Sequence, residues 1–431
     1  MISLITSLLV AFFSLPIFSD IPTYVEYQFD EGKDYYAKVV NGNKCVRVRL
    51  CSADELDRTE IGVEMYRETN SEQMYNLIIK PIERYFGKNV SFKPVGKIHF
   101  VNIAALVDGG GKRLCRKYHI RRVSSQDEAA LSDKVDFGTI KMYLFGGMVY
   151  DADPERMYQN CWWVYRENYW GGSEGTDPSY SSAGPERMWR TSEQLKEYVA
   201  DSPGWDMNTV TLGTAEDGTR AGCDQLQYSR GEIKFIYSLR NFNVQKYTGD
   251  TALEENFKLK SLWSEPCVIH LSTHSFTLDA SASPFSQFYD AKQLTYKTTG
   301  LMFTGASHSL NGYELPYEMN DGLLYAEEIA RYDFSKVQLL VLSACGTALG
   351  TVTNDGVVGL QSAFKEAGVK TIISTLWSIN DKAAAEFMKC FYQFMYDGYS
   401  KYAAFEQARL QLMESRDFSD PLYWAPFVML D

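Results

Sequence analysis

The second half of the chain alternates short apolar runs with longer stretches in which apolar residues recur every three or four positions. Short runs rich in branched side chains are typical of buried strands, whereas the longer spacing is typical of helices. The pattern predicts strands over residues 267–273, 337–343 and 371–376, and helices over residues 356–367, 381–396 and 401–416. Such alternation predicts an α/β fold with a mostly parallel sheet sandwiched by helices.

The first half is less regular. Strict alternation at residues 46–50 predicts a hairpin or edge strands, and a helical spacing begins at residue 71. Further short strands are predicted over residues 90–92, 97–103, 118–123 and 234–239. Aromatic residues crowd residues 150–190 among Gly, Ser and Pro. Such a segment either lines a ligand surface or packs its rings on the domain as an insertion, and the composition favours packing.

The N-terminal residues 1–19 contain no charged side chain. Their length is close to the ~20 residues that span a bilayer, but Pro16 and Ser19 also fit the end of a secretory signal peptide. Neither Lys nor Arg precedes the apolar run, which is unusual for a signal peptide. We expect export to the periplasm or the exterior. The alternatives are an uncleaved membrane anchor, or a buried helix of a longer, cytoplasmic protein.

Charge and cysteine usage exclude several classes of function. Lys and Arg number 43 against 55 Asp and Glu, for a net charge of −12, which argues against nucleic acid as a partner. Eight cysteines in 431 residues do not form a disulfide scaffold. Cys45 and Cys51 lie ~20 Å apart if they share one strand, which is too far for a disulfide. Gly109–Lys112 departs from a phosphate-binding loop and is predicted to be a turn.

Two predicted strand ends carry reactive side chains. His274 follows the first buried strand, and Cys345 follows the second. A thiol nucleophile needs a neighbouring base, and imidazole suits that role because it titrates near neutral pH. His270 and His274 would stand ~13 Å apart on a strand, which argues against a shared metal ion. Taken alone, each residue is more often structural: a packed thiol, a loop hydrogen bonder and, for His270, a core group.

Several stretches together resemble the CHAT domain, a module of the caspase clan related to caspases, separase and gingipains. VIHLSTHSF (268–276) is similar to its histidine motif, and LLVLSACGTALG (339–350) to its cysteine motif. The segments 248–258, 301–312, 321–329, 356–381 and 420–431 are also similar to the family. The resemblance implies that 70–230 form a non-catalytic half and 231–431 a catalytic half, preceded by a strand-rich segment at 20–69.

The resemblance also implies an activity, that of a cysteine endopeptidase acting on protein or peptide substrates without a cofactor. His274 and Cys345 would be the catalytic dyad, and the N–H groups of Ser275, Cys345 and Gly346 would form the oxyanion hole. Relatives that cut after Arg or Lys use an acid in the specificity pocket. Asp381 is the candidate here, although it also suits the start of a helix. Asp321 and Asp355 are weaker candidates, since both precede glycine and fit turns.

Two departures from the family pattern keep a second hypothesis open. Ser275 stands where the family usually has glycine after the histidine, and Gly346 stands where a polar residue usually follows the cysteine. Serine retains the N–H group but lacks the conformational freedom of glycine. The alternative is therefore a catalytically silent protein that keeps the fold for interaction. CHAT domains also commonly follow tetratricopeptide repeats, and we expect none here.

Overall fold

The computed structural model describes most of the chain from residue 22 onwards. The described residues are 22–30, 33–59, 61–128, 139–160, 225–239, 242–259, 263–278, 289–310, 315, 319–343 and 356–431, with the backbone of three short strands at 212–214, 221–223 and 351–353. Residues 1–19 and most of the aromatic segment 150–190 lie outside these ranges. Among the described helices, none is both long and apolar enough to cross a bilayer.

The strands, numbered along the chain, are β1 (Thr23–Asp30), β2 (Asp34–Asn41), β3 (Lys44–Ser52), β4 (Asn89–Lys93), β5 (His119–Arg122), β6 (Lys141–Gly146), β7 (Leu212–Thr214), β8 (Ala221–Cys223), β9 (Asn243–Thr248), β10 (Cys267–Ser272), β11 (Ser275–Thr277), β12 (Thr299–Met302), β13 (Leu323–Tyr325), β14 (Val337–Ser343), β15 (Thr351–Thr353), β16 (Gly356–Val358), β17 (Ile372–Thr375) and β18 (Phe427–Leu430).

The α-helices with described bounds are α1 (Ala53–Asp57), α2 (Glu68–Ile78), α3 (Ser229–Ser238), α4 (Glu254–Phe257), α5 (Ala291–Thr298), α6 (Ala306–Leu310), α7 (Ala326–Ile329), α8 (Leu360–Glu366), α9 (Asp381–Tyr396), α10 (Lys401–Glu414) and α11 (Pro421–Trp424). The long helices begin at side-chain caps. Asn380 accepts the Ala383 N–H at the start of α9, and Ser400 accepts the Ala403 N–H at the start of α10.

Eleven of the described strands form one sheet, in the order β3-β2-β1-β4-β5-β18-β17-β14-β10-β6-β9. Neighbours are parallel except at β2–β3, β1–β2 and β17–β18. The predicted α/β class with a mostly parallel sheet is therefore confirmed. β6 lies between β9 and β10, although it precedes residue 230 and they follow it. The division into halves at residue 230 stays a prediction.

Both faces of this sheet are covered, as the near-continuous apolar strands require. Successive residues of β10 alternate between two cores: Val268 packs in one, and Ile269 in the other. Helices α9 and α10 cover the first face through Phe387 and Phe405. Helix α8 covers the second through Phe364. Because β10 and β14 are buried on both sides, their ends are held firmly in place at one edge of the sheet.

Several local predictions are confirmed and others are wrong. Helix α9 has the predicted bounds, the alternating segment at 46–50 lies in β3, and Cys45 and Cys51 are both free thiols. Residues 234–238 fall in α3 instead of a strand, because Ile233 and Ile236 bury one helical face. Residues 97–100 belong to a 3₁₀ helix that begins at Gly96, whose φ is 53°, and residues 356–358 pair as a strand before α8.

The predicted turn at residues 109–112 is confirmed. The Asp108 carboxylate accepts the N–H groups of Gly110 and Lys112, each at 2.9 Å. This is the local pairing that makes aspartate common in turns. The same carboxylate lies 2.9 Å from the Lys117 ammonium, which lies 2.8 Å from Glu83. The glycine-rich stretch is therefore explained by a turn and an ion-pair network.

Candidate active site

The two strands that lead to His274 and Cys345 are direct neighbours in the sheet. β10 and β14 are parallel, and Ser272 is paired with Ser343 at their ends. His274 follows Ser272 by two residues, and Cys345 follows Ser343 by two residues. Both chains therefore leave the sheet at the same edge and in the same register. Cys345 and Gly346 themselves lie outside the described residues.

The backbone of His274 is fixed on both sides. Its N–H donates to the Tyr150 hydroxyl at 3.3 Å, and its carbonyl accepts the Met302 N–H at 2.9 Å. The Tyr150 ring lies 5.3 Å from the imidazole, centroid to centroid, at an interplanar angle of 35°. His274 is buried, at 6% exposure. The imidazole thus sits in an enclosed position whose backbone cannot shift without breaking these contacts.

Thr273 extends the same arrangement. Its hydroxyl lies 3.1 Å from the Tyr150 hydroxyl and also donates to the Met302 carbonyl. Both Tyr150 and Thr273 are fully buried. A buried tyrosine hydroxyl needs a partner, and this one bridges two consecutive residues of the loop that bears the histidine. Tyr150 is therefore a positioning residue for His274.

A buried carboxylate links the two strand ends. Glu232, on α3, accepts the Ser272 hydroxyl at 3.1 Å and the Ser343 hydroxyl at 3.3 Å through the same oxygen. Its other oxygen lies 2.8 Å from Nε2 of His270. Nδ1 of His270 lies 3.1 Å from the Tyr392 hydroxyl on α9. The side chains of Glu232 and His270 are essentially inaccessible to solvent, so this is a dry polar network behind the site.

Helix α3 is held against the same edge of the sheet at its first residue. The Ser229 hydroxyl donates to the Ser272 carbonyl at 2.9 Å and accepts the Gly147 N–H at 2.8 Å. Gly146 is needed for this approach, because a Cβ atom there would lie 2.6 Å from Ile233. The position of α3, and with it that of Glu232, is therefore set by contacts with β6 and β10.

The other residues that the sequence predicted for the site are Ser275, Asp381, Asp321 and Asp355. Ser275 is buried and opens β11, paired with Leu301. Asp381, at the start of α9, accepts the Tyr228 N–H at 2.8 Å, directly before α3. Burial raises the pKa of Asp381, and the Glu232 charge raises it further. Asp321 accepts the Leu323 N–H at 3.0 Å in a turn, and Asp355 lies outside the described residues.

Sequence reasoning identified the ends of the strands but missed the residues that support them. Glu232 and Tyr150 come from distant parts of the chain, and nothing in their neighbourhood forms a motif. One signal was available for Glu232. Its charge falls on the apolar face of α3, beside Ile233 and Ile236, where a buried carboxylate requires partners.

The chain matches the CHAT domain family over residues 68–430. Over 94 residues it is 35% identical to tetratricopeptide repeat protein 28 of Mus musculus and 33% identical to that of Homo sapiens. These matches take in 22% of this chain and 4% of either relative's length. Both relatives are named for tetratricopeptide repeats, and the expectation that this chain carries none stays a prediction.

A likeness to a solved structure is weaker. The Arg-specific cysteine proteinase gingipain R aligns with a TM-score of 0.39 and 7% identity, over 84% of this chain and 66% of that one. The family match, by contrast, spans most of the 431 residues, including β10, β14 and every element that contacts them. The protein belongs to the CHAT domain family.

Proposed function

We propose that this CHAT domain protein is a cysteine endopeptidase with His274 and Cys345 as its catalytic dyad. The register pair of Ser272 and Ser343 is the observation that carries this proposal. Adjacent strands lie about 4.8 Å apart, so side chains two residues beyond a register pair start within reach of one bound peptide. The network around Glu232 and Tyr150 supports the proposal further, because it fixes both strand ends and the backbone of His274.

The reaction follows from these roles. His274 takes the thiol proton of Cys345, and the thiolate attacks the carbonyl carbon of the scissile peptide bond. The N–H groups of Ser275, Cys345 and Gly346 donate to the oxyanion. His274 then returns the proton to the leaving amine as the C–N bond breaks. Water hydrolyses the thioester and regenerates the thiol. Neither a metal ion nor an organic cofactor takes part.

Asp381 is the acid that we propose binds an Arg or Lys side chain of the substrate in the specificity pocket. It stands near the sheet edge that bears His274, since its partner Tyr228 directly precedes Ser229, which contacts the end of β10. A carboxylate recognises a substrate guanidinium or ammonium by a charge-assisted hydrogen bond. The backbone N–H groups of Tyr228 and Gln227 also bond this carboxylate, so a basic side chain would share it with them.

Ser275 favours the alternative, a catalytically silent protein that uses the CHAT fold for interaction. A serine that is buried in β11 has less conformational freedom than glycine to aim its N–H at an oxyanion. In that case the substrate-binding edge would hold a peptide without cutting it.

Digestion of a peptide library by the full chain tests the proposal. We expect cleavage by wild type, none by Cys345→Ala or His274→Ala, and unchanged cleavage by Cys390→Ala, which removes a buried thiol on α9. Cleavage that survives Cys345→Ala overturns the assignment. Peptide binding without cleavage in all four proteins establishes the silent alternative.

Export is proposed on the apolar residues 1–19 alone. Expression of the full gene followed by N-terminal sequencing tests it. Recovery outside the cytoplasm with a new N-terminus near Asp20 supports a signal peptide. An intact N-terminus in the membrane fraction supports the anchor.

A further inference from the structure

A small cavity of about 40 Å³ lies beneath the seam where β5 meets β18. In the sheet this seam is separated from β14 by β17, so the cavity is not part of the candidate active site. Its walls come from strands β4, β5 and β18, helix α10 and the loop before β5. The lining includes Asn102, Arg122, Tyr402, Phe405 and Arg409.

Arg409 presents an unmatched charge to this cavity. The residue is 4% exposed, and its Nε atom is enclosed without a hydrogen-bond partner in the described chain. Its guanidinium carbon lies 4.9 Å from the centroid of the Phe405 ring. A cation–π contact of this kind offsets only part of the cost of burying a guanidinium.

Arg122, on β5, presents a second unmatched charge to the cavity. Its Nη2 donates to the His99 carbonyl at 2.5 Å, while Nε and Nη1 are enclosed and have no partner in the described chain. Burial lowers the pKa of Arg122 to about 10, and only the Tyr66 hydroxyl acts against this shift. Within the part of the chain that the structure describes, no carboxylate compensates this guanidinium.

The nearby acids are already engaged with other cations. Asp431 lies 2.5 Å from Arg121 and 3.5 Å from Lys401. Glu406 lies 3.0 Å from the His119 ring and also accepts the Tyr402 hydroxyl. Arg122 and Arg409 thus line one cavity with enclosed N–H groups that lack acceptors, and the described residues offer neither of them an ion-pair partner. Buried donors left without a partner are rare in native proteins and call for an explanation.

We propose that the Arg122–Arg409 cavity binds a small inorganic oxyanion such as phosphate. Water would satisfy the free N–H groups but not the two charges, whereas an oxyanion supplies both acceptors and a counter-charge. A single water molecule needs about 10–15 Å³ in this measure, so the cavity accommodates a few waters or one tetrahedral anion. It has no room for a nucleotide or for a phosphorylated peptide.

An anion at this position would join the two sides of the seam. β5 and β18 are paired through a single register position, Leu430 with Arg122. Arg122 belongs to β5, and Arg409 belongs to α10, which packs below β18. One ion that bonds both side chains therefore connects the early strands of the sheet to its last helices. This role is independent of the dyad and of the proposed peptidase activity.

Thermal unfolding of the full chain against phosphate concentration, at constant ionic strength, tests the proposal. For wild type we expect a saturable rise in Tm of about 4 °C at a hundredfold excess over Kd. Arg409→Met keeps the length of the side chain and removes its charge. We expect this variant to have a higher Tm than wild type without phosphate, because an uncompensated charge is gone, and to weaken phosphate binding at least tenfold.

Arg116→Met is the matched control, since Arg116 is exposed and paired with Glu414 near the end of α10. It should respond to phosphate as wild type does. Arg409→Lys keeps the charge and gives a second readout if the Met variant does not fold. We expect it to bind phosphate several-fold more weakly, as measured by calorimetry. Phosphate binding that is equal in wild type and both Arg409 variants, or absent from wild type, overturns the proposal.

Discussion

Ser272 and Ser343, paired in register on adjacent parallel strands, donate to the same oxygen of Glu232 at 3.1 and 3.3 Å. A single buried carboxylate thereby ties the ends of β10 and β14 to helix α3. The relative position of the two strand ends is set by this helix as well as by the backbone ladder.

Replacing Glu232 by leucine should lower the free energy of unfolding by about 3 kcal/mol, because two hydroxyls and the His270 imidazole lose a buried partner. Glu232→Gln retains an acceptor oxygen and should cost about 1 kcal/mol. Urea unfolding measures both. Glu386→Ala, at a half-exposed position on α9, is the control and should cost less than 1 kcal/mol. A cost below 1 kcal/mol for the leucine variant would show that the network is not stabilising.

Tyr150→Phe should reduce kcat about tenfold and leave KM nearly unchanged. The hydroxyl accepts the His274 N–H and contacts Thr273, so its loss releases the imidazole from its position without altering the ring contact. Steady-state kinetics on a peptide substrate measures the change. Tyr237→Phe, on an exposed ring, should behave as wild type. A rise in KM with kcat preserved would place Tyr150 in substrate binding instead.

Asp381→Asn should abolish any preference for cleavage after Arg or Lys. The same loss should occur in wild type as the pH falls, and at a higher pH than for an ordinary aspartate, because burial and the Glu232 charge raise the Asp381 pKa. The ratio of cleavage rates for basic and neutral substrates, followed against pH, measures this. Asp397→Asn, at the other end of α9, should leave the ratio unchanged. A ratio insensitive to Asp381→Asn would confine Asp381 to its bond with Tyr228.

Lys117→Met should make the free energy of unfolding fall less steeply as the pH is lowered. Burial acts to raise the pKa values of Glu83 and Asp108, but hydrogen bonds and the Lys117 charge outweigh it and lower both. Their contribution is therefore complete above the unfolded values of about 4 and is lost as the pH falls through the lower folded values. Urea unfolding between pH 7 and pH 2.5 measures the slope of the free energy of unfolding against pH.

The matched control for this series is Lys112→Met. Lys112 lies in the turn that follows Asp108, and its side chain is exposed. Its slope should follow that of wild type. Because the groups are partly exposed, the effect of Lys117→Met at pH 7 should stay near 1 kcal/mol. Equal slopes for the two variants would remove Lys117 from the acid response.

The secondary-structure elements that could be predicted from the sequence are those in which the hydrophobic pattern matches the burial of the residues. β10 and β14 are covered on both faces, so their unbroken apolar runs correctly predicted buried strands. The segment 234–239 misled because Phe235, Ile236 and Tyr237 favour strands locally, whereas tertiary packing of one face makes a helix. The proposed dyad was predicted from motifs. Glu232 and Tyr150 could not be found from motifs, since their partners lie 38 to 124 residues away in the chain.

The placement of β6 has a consequence for any attempt to isolate residues 231–431, the proposed catalytic half. This strand is contributed by residues before 230, yet it pairs with β9 on one side and β10 on the other. A truncated chain beginning at residue 231 would leave β9 and the buried strand β10 each with an open edge where their shared neighbour belongs. Exposed edges of that kind recruit other chains, so the fragment should aggregate, and proteolysis assays are best carried out on the intact polypeptide.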